Sequence, residues 1–334
     1  MKAYVTASFD AAALARLATM MDVVHEDWRV THKVFFAGEE LARRIRDVGA
    51  DVLIVEADLV HEEVIEGTKL AIIGAARGDP LNVRLDLATA RGIPVIFAPA
   101  RNAGAVAELT VTFILSVLRH VHEVHHELRS GRLDFERPGD YLGAYSRYVG
   151  VELAGKTVGV VGFGAIGRRV ARLVAAFDAR VLVFDPYVPE STVTAAGAET
   201  ADPDRIVREC DVLTVHCPET PETVNLLDAE RIRALRPGAV VMNLARARIL
   251  DEDALYEGLC SGRIAGAGLD VLSHEPVRRG ERFLSLPNVL VLPHYGGNTR
   301  ETVIRQSRMI VDGIEDLLAG RRPRHLCNPG ALAG

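Results

Sequence analysis

The chain has 334 residues, 49% of them hydrophobic, and its 39 Lys and Arg against 45 Asp and Glu give a formal net charge of −6 at pH 7. That length exceeds the ~100–200 residues of a typical domain, so two separate cores are expected, and the acidic balance argues against nucleic acid as the main partner, because neutralising phosphates takes clustered basic side chains. Cys210, Cys217, Cys260 and Cys327 form no CxxC pair and no metal-ligand spacing, which predicts reduced thiols, a cytoplasmic location and no metal. At the amino terminus Asp10 and Arg16 interrupt any signal-peptide core, and the most apolar helical run, VTFILSVL, is eight residues long against the ~20 that span a bilayer, so no membrane partner is expected.

From residue 2 to about 100, β-rich runs (KAYVTA, DVLIVE, KLAIIGAA, IPVIFAP) alternate with helical ones (AAALARLATMM, EELARRIRDVG, NVRLDLATARG), the pattern of a parallel α/β lobe. AGAVAELTVTFILSVLRHVHEVHHELRSG then runs roughly 27 residues with no breaker before Gly131 and predicts one long helix, a connector or an interface. The stretch 131–152 has no regular pattern; it reads as a surface arm whose Tyr141, Tyr145 and Tyr148 pack on a partner. A second α/β series follows, with strands at KTVGVVG, RVLVFD, VLTVHC, AVVMNLA, AGAGLDV and NVLVLP, a last helix from about Thr299 to Ala319, and the tail RPRHLCNP.

Gly162, Gly164 and Gly167 follow the apolar strand KTVGVV and open the helix AIGRRVARLVAAF. Strand, glycine cluster and helix in that order form the context in which GxGxxG holds a dinucleotide. The first glycine makes the tight turn, the second lets the backbone approach the pyrophosphate, the third lets the helix lie on the strand, and the helix amino end attracts the negative charge. Asp185 closes the next strand, 18 residues beyond Gly167, where a carboxylate accepts both ribose hydroxyls and repels a 2′-phosphate. The expected cofactor is NAD rather than NADP.

In an open α/β sheet, ligands bind outside the carboxyl ends of the strands. Directly after strands of the second series come His216, Cys217 and Pro218; Arg246; Asp270, leading to Glu275; and His294. Hydride exchange at a carbon bearing oxygen also moves a proton, which suits a histidine with its ordinary pKa of ~6.5. A carboxylate on the other ring nitrogen orients that histidine and favours its charged form. His294 and Glu275 are the candidate couple, and Arg246 offers a planar fork for a substrate carboxylate and for the carbonyl being reduced.

These motifs, in order VGVVGFGAIGRRVA with FDP, LTVHCPETPETVNLLDAE, MNLARARILDEDAL, AGAGLDVLSHEP and VLPHYGGNT, together with NVRLDLATARGIPVIFAPARNAGAVAE before them, resemble those of the D-isomer-specific 2-hydroxyacid dehydrogenases, most closely the phosphoglycerate dehydrogenase-like members without a regulatory domain. The resemblance covers essentially the whole chain. It implies two Rossmann-like, doubly wound parallel-sheet lobes: a flavodoxin-like, discontinuous substrate-binding lobe (1–101 and 299–334) and an NAD-binding lobe (102–298), with the active site in the cleft between. It also implies a homodimer joined through the NAD-binding lobe. The roles implied are Arg246 as the substrate-binding arginine, Glu275 as the carboxylate partner, His294 as acid/base, Asp185 on the adenosine ribose and Asp270 near the nicotinamide. Further cofactor contacts are implied at Ala165, Ile166, His216, Cys217, Pro218, Leu244 and Gly297. The substrate would be a small 2-keto or 2-hydroxy acid.

Two departures from the family pattern stand out. Ala247 replaces the usual glycine after the arginine, and alanine would be strained if the backbone there needs positive φ. RGDPLN stands where the family has GxGxDN, so Arg77, beside Gly78, is expected to reach into the cleft and favour a substrate with a second anionic group or several hydroxyls. Two other readings remain: a corepressor-like NAD(H)-binding regulator of the same fold, and phosphite or formate oxidation, although a formate enzyme would be expected to carry glutamine in place of Glu275.

Overall fold

The structure is a computed structural model and describes residues 1–137 and 139–332. Pro138 of the tyrosine arm and the last two residues of the first lobe lie outside the described residues. The chain divides into two compact units, one of Met1–Asn102 with the chain from Asn298 onward, the other of Ala103–Gly297.

The first unit is a five-stranded parallel sheet of β1 (Lys2–Val5), β2 (Asp22–His25), β3 (Val52–Val55), β4 (Ile72–Ala75) and β5 (Val95–Phe97), in the order β2-β1-β3-β4-β5. Its central strands are apolar along their length because helices cover both faces of the sheet, leaving no solvated side to carry an alternating pattern. The returning helix Arg300–Leu318 supplies one of those covers, burying Ile310, Val311 and Ile314 with Ile54 and Ile96 of the sheet. β2 is not evident from composition. It is an edge strand whose four residues are all partly or fully exposed, so burial gives it no apolar signature.

In the second unit β6 (Thr157–Val161), β7 (Arg180–Phe184), β8 (Glu199–Thr200), β9 (Val212–Val215), β10 (Ala239–Asn243), β11 (Ile264–Leu269) and β12 (Val289–Val291) form one parallel sheet ordered β12-β11-β10-β9-β6-β7-β8. The two-residue edge strand β8 is again invisible in the pattern, being exposed at both positions. Both units therefore have the doubly wound, Rossmann-like architecture. β6, β7 and β9 meet where the winding reverses, the switch point at which such sheets bind ligands.

The single long helix expected after residue 103 is two helices, Ala103–Leu118 and Val121–Arg129, bent by 68°. The break is made by tertiary contacts. The carbonyl of Leu118, which a continuing helix would need, accepts the Val151 amide at 2.8 Å, and His120 turns the chain at φ 52° while its ring bonds Glu123. Ala103–Leu118 lies in the core of the second unit through Phe113, Ile114 and Val117. Among the described residues no single helix is long and apolar enough to cross a membrane. The arm after Gly131 contains a short helix, Asp140–Arg147, on which Tyr141 stacks with Phe135 and Tyr145 while Tyr141, Leu142 and Tyr145 remain exposed.

Candidate active site and cofactor cradle

Along the carboxyl edge of the second sheet, the strand order sorts the residues that follow each strand. His294 comes after β12, Asp270 and Glu275 after β11, Arg246 after β10, His216 after β9, the glycine turn after β6 and Asp185 after β7. Residues far apart in sequence thus occupy one edge, with acid/base candidates at one end and the glycine turn at the other.

The glycine turn needs its glycines for reasons visible in the packing. Gly162 sits at φ 95°, and a Cβ there would stand 2.5 Å from the Cys217 amide nitrogen, while a Cβ on Gly167 would overlap the Gly162 carbonyl oxygen. Gly164 has open space where a Cβ would be. The turn is therefore close-packed at its first and third glycines and free at the second, which is the shape a pyrophosphate requires. The helix Gly167–Ala175 starts here, and among the described residues no backbone acceptor meets the amides of Ala165 and Ile166, leaving them for an anion. Asp185 locks the turn to β7, accepting Phe163 N at 2.7 Å with one oxygen and Tyr187 N at 3.0 Å with the other. Its carboxylate keeps further lone pairs for ribose hydroxyls. These residues fit an NAD molecule.

His216 and Cys217 differ from simple cofactor ligands. The His216 ring is buried, with Nε2 on the Thr214 hydroxyl at 2.9 Å and Nδ1 without a partner among the described residues. Loss of hydration pushes its pKa down to about 3, so the ring is neutral and supports the turn through packing. Burial likewise raises the Cys217 thiol to about 11. Pro218 is exposed, and Leu244 is buried behind the edge.

At the other end, His294 Nδ1 meets Glu275 Oε2 at 3.0 Å. His294 has φ 59°, a conformation costly for a non-glycine residue and one that persists only where neighbours enforce it. Asp270 supplies the enforcement. Its backbone carbonyl accepts His294 N at 2.8 Å, and its carboxylate, in a residue 2% exposed, accepts Tyr295 N at 2.6 Å and Gly296 N at 2.7 Å. Burial raises the Asp270 pKa, opposed by those two amides. The residue expected near the nicotinamide thus has both oxygens engaged in holding the histidine loop, just ahead of Gly297.

Arg246 is exposed, and among the described residues its guanidinium has no carboxylate partner; Nη1 donates to the Ala245 carbonyl at 2.7 Å. No hydrogen bond joins it to His294 or Glu275. The turn that presents it is braced by the buried Asn243, whose amide accepts Ala245 N at 3.1 Å and donates to the Arg246 carbonyl at 2.9 Å. The strain anticipated at Ala247 does not occur: this residue begins a 3₁₀ turn, Ala247–Ile249, and is absent from the positive-φ positions.

In the first unit Arg77 is half-buried, its Nη1 3.4 Å from the Glu56 carbonyl, and Gly78 is exposed beside it. The strand-edge network around it is not apparent from spacing. The Glu56 carboxylate accepts Trp28 Nε1 at 3.0 Å and Arg101 Nη1 at 3.1 Å, and Arg101 also reaches Gln306. Burial lowers the Arg101 pKa, and the positive charges of Arg77 and Arg29 add to the effect. Among the described residues no group of three or more His, Cys, Asp or Glu is placed to hold a metal ion.

A glycine turn at the switch point of a parallel sheet, with a carboxylate closing the neighbouring strand, makes the second unit a dinucleotide-binding domain of the kind found in oxidoreductases. Comparison with known proteins narrows this. Residues 111–296 match the D-isomer specific 2-hydroxyacid dehydrogenase NAD-binding domain. A Bacillus subtilis (strain 168) protein provisionally named 2-hydroxyacid dehydrogenase YoaD is 36% identical over 304 residues, covering 90% of this chain and 86% of its own. The D-3-phosphoglycerate dehydrogenase of Methanocaldococcus jannaschii is 34% identical over 87% of this chain, which spans 53% of that enzyme's length. The crystal structure of the TT0316 protein from Thermus thermophilus superposes with a TM-score of 0.83 at 32% identity, covering 98% of this chain and all of that one. The chain belongs to the D-isomer-specific 2-hydroxyacid dehydrogenase family, and it is an NAD-dependent oxidoreductase of that class.

Proposed function

We propose that the protein interconverts a D-2-hydroxy acid and the corresponding 2-keto acid, with His294 and Glu275 as the acid/base couple and Arg246 as the carboxylate-binding residue. The observation that carries this reading is the 3.0 Å contact between His294 Nδ1 and Glu275, on the sheet edge that also bears the glycine turn. NAD, held by the glycine turn and Asp185, would supply hydride chemistry at the substrate's second carbon. Glu275 holds the Nδ1 proton of His294, which leaves Nε2 to deliver a proton to the substrate oxygen in reduction and to take it back in oxidation. Arg246 grips the substrate carboxylate with parallel N–H bonds and orients the adjacent carbonyl.

For the cofactor, Gly162, Gly164, Ala165, Ile166 and Gly167 would hold the pyrophosphate and Asp185 the adenosine ribose. His216, Cys217, Pro218, Leu244, Asp270 and Gly297 would complete the surround, the buried ones by packing and backbone. Arg77 and Gly78 are proposed to meet the distal part of the substrate, favouring acids with a second anionic group or several hydroxyls. The exposed aromatic arm supports a homodimer formed through the cofactor-binding unit, and four free cysteines fit a reducing compartment such as the cytoplasm.

The test is NADH oxidation against a panel of 2-keto acids with the wild type and Arg77→Met. Turnover of at least one acid by the wild type is expected, with KM raised in R77M for the polyhydroxylated or doubly anionic members alone. No turnover of any 2-keto acid by protein that binds NADH would contradict the reading and favour a regulatory role.

A further inference from the structure

The cofactor end of the sheet carries a second carboxylate besides that of Asp185. Two loops follow the strands on either side of β6, residues 185–188 after β7 and 217–224 after β9. They are joined by one bond, in which the Tyr187 hydroxyl donates to the Glu222 carboxylate. At its other end the same tyrosine donates its backbone N–H to Asp185 at 3.0 Å. The phenol is held above its ordinary pKa, first by that hydrogen bond and then by the charge of Glu222. Neither loop is free to drift. Thr223 Oγ1 accepts Thr220 N at 2.7 Å and donates to the Pro218 carbonyl at 2.7 Å, while Glu219 pairs with Arg248 at 3.0 Å. Tyr187 nonetheless remains 76% exposed, so the Tyr187–Glu222 link spans open surface and contributes nothing to a core.

A guanidinium also reaches this region. Arg168 Nε donates to the Phe163 carbonyl at 2.8 Å, and the amide of the same Phe163 is bonded to Asp185. Arg169 Nη1 likewise donates to the Ala165 carbonyl at 2.8 Å, so Asp185 is opposed by positive charge beside the turn, and a cofactor bearing a 2′-phosphate would meet both signs there. Glu222 tips this balance. We propose that Tyr187 and Glu222 form a clasp across the adenosine end of the cofactor site, and that the Glu222 carboxylate, held there by Tyr187, is a specificity-determining group that disfavours a 2′-phosphorylated dinucleotide. Tyr187 is the positioning residue and Glu222 the charge that acts. A unit charge facing a phosphate across about one Debye length changes binding by roughly three- to fivefold.

The experiment measures the Kd of NADH and of NADPH by fluorescence titration on the full chain, for wild type, Glu222→Gln, Glu222→Lys and Tyr187→Phe. The wild type should favour NADH. E222Q should bring the ratio Kd(NADPH)/Kd(NADH) down about three- to fivefold by tightening NADPH, with NADH within about twofold of wild type, and E222K should lower it further. Y187F, which keeps the carboxylate and releases it, should lower the ratio by less than E222Q. The E222Q effect should shrink in high salt, as screening requires and as a merely structural role would not. A ratio in E222Q within twofold of wild type, or a change arising only from weakened NADH, overturns the proposal. Unaltered circular dichroism and melting temperature establish that each variant is folded.

Discussion

The neutral, buried imidazole of His216 makes the stability of the second unit depend on pH in a calculable direction. The ring is buried, its one side-chain hydrogen bond among the described residues being to Thr214, and its pKa is pushed down to about 3 by desolvation, against ~6.5 in an unfolded chain. As pH falls, the unfolded chain takes up the proton first, so stability is intact above about pH 6.5 and drains away as pH drops toward the folded value. Each pH unit inside that window costs ~1.4 kcal/mol, so from pH 7 to pH 5 this one residue removes about 2 kcal/mol, and the whole window is worth on the order of 5 kcal/mol. Replacing His216 with Asn removes the titration. Its packing cost is the same at every pH and cancels in the comparison. Urea unfolding followed by circular dichroism is the appropriate assay, because the single tryptophan, Trp28, lies in the first unit. The stability difference between pH 7 and pH 5 should be about 2 kcal/mol smaller in H216N than in wild type. Parallel stability curves for the two proteins would refute the assignment of a buried neutral ring.

Asp270→Asn should cost about 1–3 kcal/mol of stability, since the new amide N–H₂ faces a backbone N–H where an oxygen accepted it; kcat should fall with it as the His294 loop loosens, and an unchanged melting temperature and kcat would show that the two carboxylate bonds are not needed. Arg246→Lys keeps the charge but loses the planar fork, so kcat/KM for the 2-keto acid should fall about 10- to 100-fold while the Kd of NADH stays put; a wild-type kcat/KM would remove Arg246 from substrate binding. Replacing Tyr141 and Tyr145 with Ser should shift a dimeric wild type toward monomer in light scattering, and an unmoved mass would separate the aromatic arm from assembly.

The residues that follow strands were legible because a parallel sheet ties position in sequence to position on its edge. Once GFGAIG and FDP are placed after β6 and β7, the locations of His216, Arg246, Glu275 and His294 follow from counting strands. The pairing of Glu275 with His294 also follows, since β11 and β12 are neighbours. What sequence does not show is what depends on distant partners. His120 breaks a helix with no glycine or proline because Val151, roughly thirty residues on, takes the carbonyl of Leu118. Asp270 serves the backbone of Tyr295 and Gly296, a use no spacing rule reveals. Asn243, Arg101 and Glu222 are ordinary polar residues until the fold gives them neighbours. β2 and β8 leave no mark in the pattern because edge strands need not be apolar, and strain at Ala247 was expected only because the resemblance suggested a backbone conformation that a 3₁₀ turn makes unnecessary.

The proposed function requires proton transfer by His294 on the sheet edge that also bears the glycine turn. Its most direct test is the turnover of a 2-keto acid with NADH by His294→Asn, with cofactor affinity measured on the same sample. The expected result is a kcat lowered about 10²- to 10⁴-fold at an NADH Kd within about twofold of wild type. Wild-type turnover by H294N would contradict it.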